Sequence, residues 1–198
     1  MRLNEIKMKK LLILILASLS MLCLTSCVEK LTQEEAIAVA NELVSASVEL
    51  NEIYYGEGLP YSTENSMAVV YAPVTDEAKY ITEAELKKAT LSVFTENYSN
   101  SIFAMYLTGY SDDDGGVIYA RYVDNGERLT VNIQAEPLVE KTRTYDLDSA
   151  EIVKLKRKKI VVSYDTFIDG EPDVKVEVTL VLSETDSGMV WRIDSPTY

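Results

Sequence analysis

Val174-Lys175-Val176-Glu177-Val178-Thr179-Leu180-Val181-Leu182-Ser183 decides the fold. Val174, Val176, Val178, Leu180 and Leu182 alternate with Lys175, Glu177 and Thr179, the period of two expected of a strand with one buried face. Working backward, strands are expected over residues 160–168, 144–155, 129–133 and 117–123. Asp124-Asn125-Gly126-Glu127 separates the last two and carries the Asn-Gly pair of a tight hairpin. Asp169-Gly170-Glu171-Pro172 and Thr185-Asp186-Ser187-Gly188 are turn sequences, and residues 190–194 read as a short closing strand before Pro196.

Upstream of residue 117 the period is helical. Thr32-Gln33-Glu34-Glu35 has capping-box spacing, and Ala36, Val39, Ala40, Leu43, Ala46 and Leu50 then recur on one face. This predicts a long helix over 33–53, ended by Gly56, Gly58 and Pro60, with a short extended segment over 67–74. Thr82-Glu83-Ala84-Glu85 repeats the capping box ahead of Leu86, Ala89, Val93 and Phe94. Thr95-Glu96-Asn97-Tyr98 opens a third helix, with Tyr98, Ile102, Met105 and Tyr106 expected to face inward. Helices followed by an antiparallel meander imply an α+β fold, with the N-terminal helices packed on one face of a curved sheet of about five to six strands.

The beginning of the chain has a different character. Lys7, Lys9 and Lys10 precede an apolar run over 11–24, too short for a comfortable membrane span. Leu24-Thr25-Ser26-Cys27 follows and resembles the lipobox of bacterial lipoproteins. The resemblance implies removal of a signal peptide of residues 1–26, lipidation of Cys27, and one α+β domain over 27–198, with 27–32 as a tether. The chain would then be extracytoplasmic and held to the membrane through lipid on Cys27, in the outer membrane where the envelope has two.

Composition excludes several chemistries. The chain has no histidine and two cysteines, of which Cys23 lies in the apolar run and Cys27 in the lipobox. Ser-His-Asp and Cys-His catalysis, His-ligated zinc and His-held haem are therefore ruled out. No cofactor and no catalytic or metal-binding set is read from the sequence. The formal charge is −13, and it becomes −16 once residues 1–26, with Arg2, Lys7, Lys9, Lys10 and Glu5, are set aside. Such a field argues against nucleic acid as a partner.

The order of elements, with a closing Trp191-Arg192-Ile193-Asp194, resembles the nuclear-transport-factor-2-like or cystatin-like cone. Tyr80-Ile81-Thr82-Glu83-Ala84-Glu85-Leu86-Lys87-Lys88 and Val93-Phe94-Thr95-Glu96-Asn97-Tyr98 are similar to segments of the IseA type of secreted proteins. So are Leu31-Thr32-Gln33-Glu34-Glu35-Ala36 and Gly188-Met189-Val190-Trp191-Arg192-Ile193. Gly115-Gly116 stands nearest the place of that family's Gly-Gly-Ser loop. The resemblance implies inhibition of DL-endopeptidases, the cysteine hydrolases that cut peptidoglycan stem peptides.

Four groups of residues invite a chemical reading. Tyr54, Tyr55, Tyr61, Tyr71 and Tyr80 bunch where the first helix gives way to the second, and amphipathic rings suit a partner-binding face as well as a wet core rim. Asp112-Asp113-Asp114 lacks the alternating ligands and distal Glu of a calcium loop and reads as a solvated turn. Lys154, Lys156, Arg157, Lys158 and Lys159 form a basic cluster that could meet an acidic partner or anionic wall polymers, though a charged strand end that discourages edge pairing is the favoured account. Tyr164, Asp165 and Tyr119 are the candidates for acid–base chemistry without histidine. The expectation is a non-enzymatic binding module, acting on a wall hydrolase or another envelope protein. A small-ligand pocket between sheet and helices is the alternative, and an Asp/Tyr enzyme the less favoured one.

Overall fold

The computed structural model describes residues 30–63, 70–111, 117–118, 120–135, 142–186 and 188–198. Residues 31–198 form one compact unit. In chain order the elements are α1 (Gln33–Tyr54), β1 (Tyr71–Pro73), α2 (Glu83–Val93) and α3 (Glu96–Phe103), the last continued by a π-helical turn at Ala104–Thr108. Then come β2 (Tyr110–Ser111), β3 (Val117–Ile118), β4 (Tyr122–Asp124), β5 (Leu129–Asn132) and β6 (Arg143–Tyr145). A 3-10 turn at Leu147–Ser149 leads to β7 (Glu151–Lys156), β8 (Lys159–Tyr164), β9 (Thr166–Ile168), β10 (Glu171–Pro172), β11 (Val176–Thr185) and β12 (Gly188–Ile193).

Both capping boxes form. The Glu35 amide donates to Thr32 Oγ1 at 3.2 Å while the Thr32 amide donates back to the Glu35 carboxylate at 2.8 Å, and Thr82 and Glu85 do the same at the start of α2. These pairs satisfy amides that a helix start leaves without intrahelical partners. On α1 Ala36, Ala40, Val44, Ser47, Leu50, Asn51, Ile53 and Tyr54 are buried, while Val39, Leu43 and Ala46 of the expected face are half-buried against the core.

The fold is α+β. The main sheet has the order β12-β11-β8-β7, all antiparallel, and α1 packs across β12, β8, β7 and β6. Ile160, Val162, Tyr164, Val178, Leu180 and Ile193 on its inner face are fully buried, and they meet Val44, Leu86 and Phe94 from the helical side. Burying each such aliphatic side chain contributes about 1.5–3 kcal/mol.

The remaining strands divide into smaller sheets, β1-β5-β4, β10-β9-β6 and β2-β3. The stretches 144–155 and 160–168, each expected as one strand, are each broken in two. Asp146 caps the 3-10 turn by accepting from the Asp148 amide at 3.0 Å, and its own amide donates to the Asp165 carbonyl at 3.0 Å. The Asp165 amide donates in turn to Ser149 Oγ at 2.8 Å. Both strands therefore step together at one corner, from the β6–β9 pairing to the β7–β8 pairing, because a short acidic side chain offers the backbone a local alternative to the ladder. The 117–123 stretch likewise divides into β3 and β4. The turn at Asp169 (φ 56°) and Gly170 (φ 79°) has the paired positive angles of a two-residue hairpin. Met105 is exposed where an inward position was expected, since the switch to π-helical winding at Ala104 shifts the phase, while Tyr106 remains buried.

Candidate functional site

The five bunched tyrosines separate. Tyr54 and Tyr55, read from sequence as partner-binding, are core residues with 0% and 4% exposure. Thr90 Oγ1 donates to the Leu86 carbonyl at 2.8 Å, so the Tyr54 hydroxyl, 2.9 Å away, donates to Thr90. The Tyr55 ring stacks on Tyr198 with centroids 3.9 Å apart and meets the edge of Tyr106. Burial raises both hydroxyl pKa values well above the usual tyrosine range. Tyr71 is half-buried and donates to the Ala120 carbonyl at 3.0 Å, and Tyr80 is half-buried beside Lys79. Of the five, Tyr61 alone is open to solvent, at 43%.

The end of α1, where Tyr54 continues the buried stripe, is held by a contact that no local pattern announces. The Arg121 guanidinium, 6% exposed, donates to the carbonyls of Tyr54 and Gly56 at the end of α1. The neighbouring Tyr122 hydroxyl donates to the Ile53 carbonyl at 2.7 Å and accepts the Leu59 amide at 3.0 Å. A cation at the negative end of α1 is favourably placed, and α1 has no basic residue of its own in its last turn.

Of the acid–base candidates, Tyr164 and Asp165 have separate partners. Tyr164 is fully buried and donates to Asn41 Oδ1 at 3.0 Å, with burial raising its pKa. Asp165 lies 3.2 Å from the Lys175 ammonium in an ion pair. Tyr119, Asp112-Asp113-Asp114, Gly115-Gly116 and Cys27 lie outside the described residues. Among the described residues no group of three or more Cys, Asp or Glu side chains is placed to hold a metal ion, and no helix is long and apolar enough to cross a membrane.

What remains is a cleft. An open hollow of about 770 Å³ lies between the start of α3 and the β11–β12 hairpin, with Thr95, Asn97, Ser183 and Arg192 in its wall. Its construction follows from one turn of chain. Phe94, leaving α2, pairs in parallel with Ile193, and the Thr95 amide donates to the Ile193 carbonyl at 2.9 Å. Thr95 Oγ1 donates to Asp194 Oδ1 at 2.6 Å while capping α3. The chain then turns away from the strand edge as α3 and leaves the hollow beside it.

Arg192 is the cation of this wall, and its Nη1 is buried without a hydrogen-bond partner among the described residues. Burial lowers its pKa from the ordinary arginine value, though a guanidinium so placed remains charged. Glu96, Glu184, Asp186 and Asp194 line the same hollow. Such a wall can accept amines and amides from a partner along its carboxylate rim and offer one guanidinium to a carbonyl or carboxylate.

Neither Arg121 nor the cleft is legible in the sequence, and segments 93–98 and 188–193 become neighbours only once β12 is placed beside Phe94. A comparison of the chain with protein-family models returns no match, and neither does a comparison with curated proteins.

Proposed function

We propose that this chain is a membrane-anchored extracytoplasmic lipoprotein whose folded part is a non-enzymatic binding module, an inhibitor of a peptidoglycan hydrolase. The observation that carries the reading is the meeting of segments 93–98 and 188–193 beside the cleft, through Phe94 and Ile193, ninety-nine positions apart. These are two of the segments that resemble the IseA type. The space between helices and sheet, where a small ligand would sit, is occupied by Tyr54, Phe94 and Tyr164. Recognition therefore falls to the surface. A hollow lined by four acidic residues and one arginine supplies the patterned charge that selects a protein partner and suppresses wrong ones. Lipid on Cys27 would keep the module at the membrane face of the wall, where such hydrolases work.

The test uses residues 28–198, purified without the signal segment, as bait on solubilised envelope. The hydrolase recovered is then assayed on peptidoglycan with increasing amounts of the module. Dose-dependent loss of cleavage, relieved by Arg192→Glu, is the expected result. Full hydrolase activity at saturating module would overturn inhibition.

A further inference from the structure

We infer that the outer face of the main sheet, from the β7–β8 turn across to β12, is a docking strip for a linear phosphodiester polymer. Register sets the strip. Lys156 pairs with Lys159, Lys159 with Val181, and Val181 with Arg192, so one row crosses all four strands with three of its four residues cationic. Directly paired residues share a face, and this face is the opposite of the one carrying Ile160, Leu180 and Ile193. Lys154, paired with Val161, lies one position further along the same face, and Arg157 and Lys158 form the turn. All five hairpin cations are exposed. Among the described residues none of Lys154, Lys156, Lys158 or Lys159 has a carboxylate in an ion pair.

Protection of a sheet edge explains part of this arrangement and leaves part unexplained. Lys154 and Lys156 stand on β7, the edge strand, and would discourage edge pairing. Lys159 stands on β8, an interior strand, and protects no edge, while Arg192 stands on β12, the opposite edge strand. Lys156 facing Lys159 is moreover a like-charge cross-strand pair, which destabilises a hairpin. A local rule broken without an evident structural gain points to a binding role.

The sign of the whole molecule selects the occupant. At a formal charge of −13 the body repels any broad anionic surface. A planar bilayer or an acidic globular protein would bring that body within a Debye length of like charge, about 10 Å at 0.1 M salt. A thin flexible polyanion touches the strip alone, whereas a nucleic-acid duplex is broad and would set its dense charge against the acidic body. Repeated phosphodiesters carry the fixed charge that lysine and arginine contact in register-tolerant fashion. The far end of the strip, Val181 and Arg192, also lines the cleft, whereas the hairpin cations Lys154 to Lys159 lie outside it, and the proposal does not depend on hydrolase inhibition.

The probe is synthetic poly(glycerol phosphate), titrated by calorimetry into residues 28–198, which include the whole compact unit, at low salt. Binding is expected, with a logarithmic salt slope of about −2 to −3 for four phosphate contacts on a single strand. Lys156→Glu with Lys159→Glu should weaken it at least about tenfold, as should Lys156→Gln with Lys159→Gln, which leaves no new charge to disturb the fold. Hydrolase inhibition should be untouched in both variants. Absence of binding, or binding unchanged in both variants, would overturn the proposal. So would a preference for phosphatidylglycerol vesicles or polyglutamate over poly(glycerol phosphate).

Discussion

Arg121 Nη1 donates to the carbonyl of Tyr54 at 2.9 Å, across sixty-seven residues of chain, and this bond fixes how α1 ends. The last carbonyls of a helix lack intrahelical donors and must be satisfied from elsewhere when buried. Here one guanidinium fork reaches both Tyr54 and Gly56. Arg121→Met removes the fork and leaves those carbonyls buried without their donor. The expected loss is about 2–4 kcal/mol of unfolding free energy. Lys at the same position can point at one carbonyl and should recover only part of it. Urea denaturation of the three proteins measures this, and a loss under about 0.5 kcal/mol for Arg121→Met, the size of an ordinary surface substitution, would show the fork to be incidental.

Gly58 belongs to the same lock. Its φ is 91°, and a Cβ there would lie 2.6 Å from the Tyr122 hydroxyl and 2.7 Å from Arg121 Nη2. Gly58→Ala is therefore strained by backbone and by contact together, with an expected cost of about 1–3 kcal/mol. Because Gly58 and Arg121 share one set of contacts, Gly58→Ala in the Arg121→Met background should cost less than it does alone. A double-mutant cycle on thermal midpoints reads this, and strict additivity would contradict it.

Burial of tyrosine makes alkali the destabilising condition. Tyr98 and Tyr145 are pushed up to about 12, chiefly by desolvation, and Tyr54, Tyr55 and Tyr164 are also raised. The folded state thus holds protons that the unfolded chain releases near the ordinary value of about 10. The stability these groups contribute is complete below pH about 10 and is lost as pH rises from there through about 12. The measurement is tyrosinate absorbance alongside ellipticity. Cooperative unfolding within that window, with the buried hydroxyls ionising together, is expected. Noncooperative titration centred near pH 10, with ellipticity unchanged, would contradict it.

Local chemistry was legible in the sequence, and long-range chemistry was not. Thr32 with Glu35 and Thr82 with Glu85 bracket both capping boxes within four residues, so α1 and α2 could be placed before any contact was known. Alternation through Val178 and Leu180 likewise marked the buried face of β11. The breaks at Asp146 and Asp165 were missed because each is stabilised by the other, across the strand pair. Tyrosine suits both a partner-binding face and a core rim, so the sequence leaves both open for Tyr54 and Tyr55, and the structure buries both. The cleft depended on Phe94 meeting Ile193, a pairing that neither segment specifies alone.

Thr95 offers the sharpest test of how that cleft is held. Three threonines cap helices, Thr32, Thr82 and Thr95, and Thr95 also donates from its hydroxyl to Asp194 on the far side of the wall. Thr32→Ala and Thr82→Ala should each cost about 1 kcal/mol, the ordinary value of an N-cap. Thr95→Ala loses the cap and a part-buried hydrogen bond to a carboxylate, so about 2–3 kcal/mol is expected. Thr95→Ser keeps the hydroxyl and should retain most of the stability. Amide hydrogen exchange supplies the second readout, since the Thr95 amide is bonded to the Ile193 carbonyl and should lose protection in Thr95→Ala while the amides of β8 keep theirs. If Thr95→Ala costs no more than Thr82→Ala, the Asp194 bond contributes nothing net, and the backbone pairing of Phe94 with Ile193 holds the wall without it.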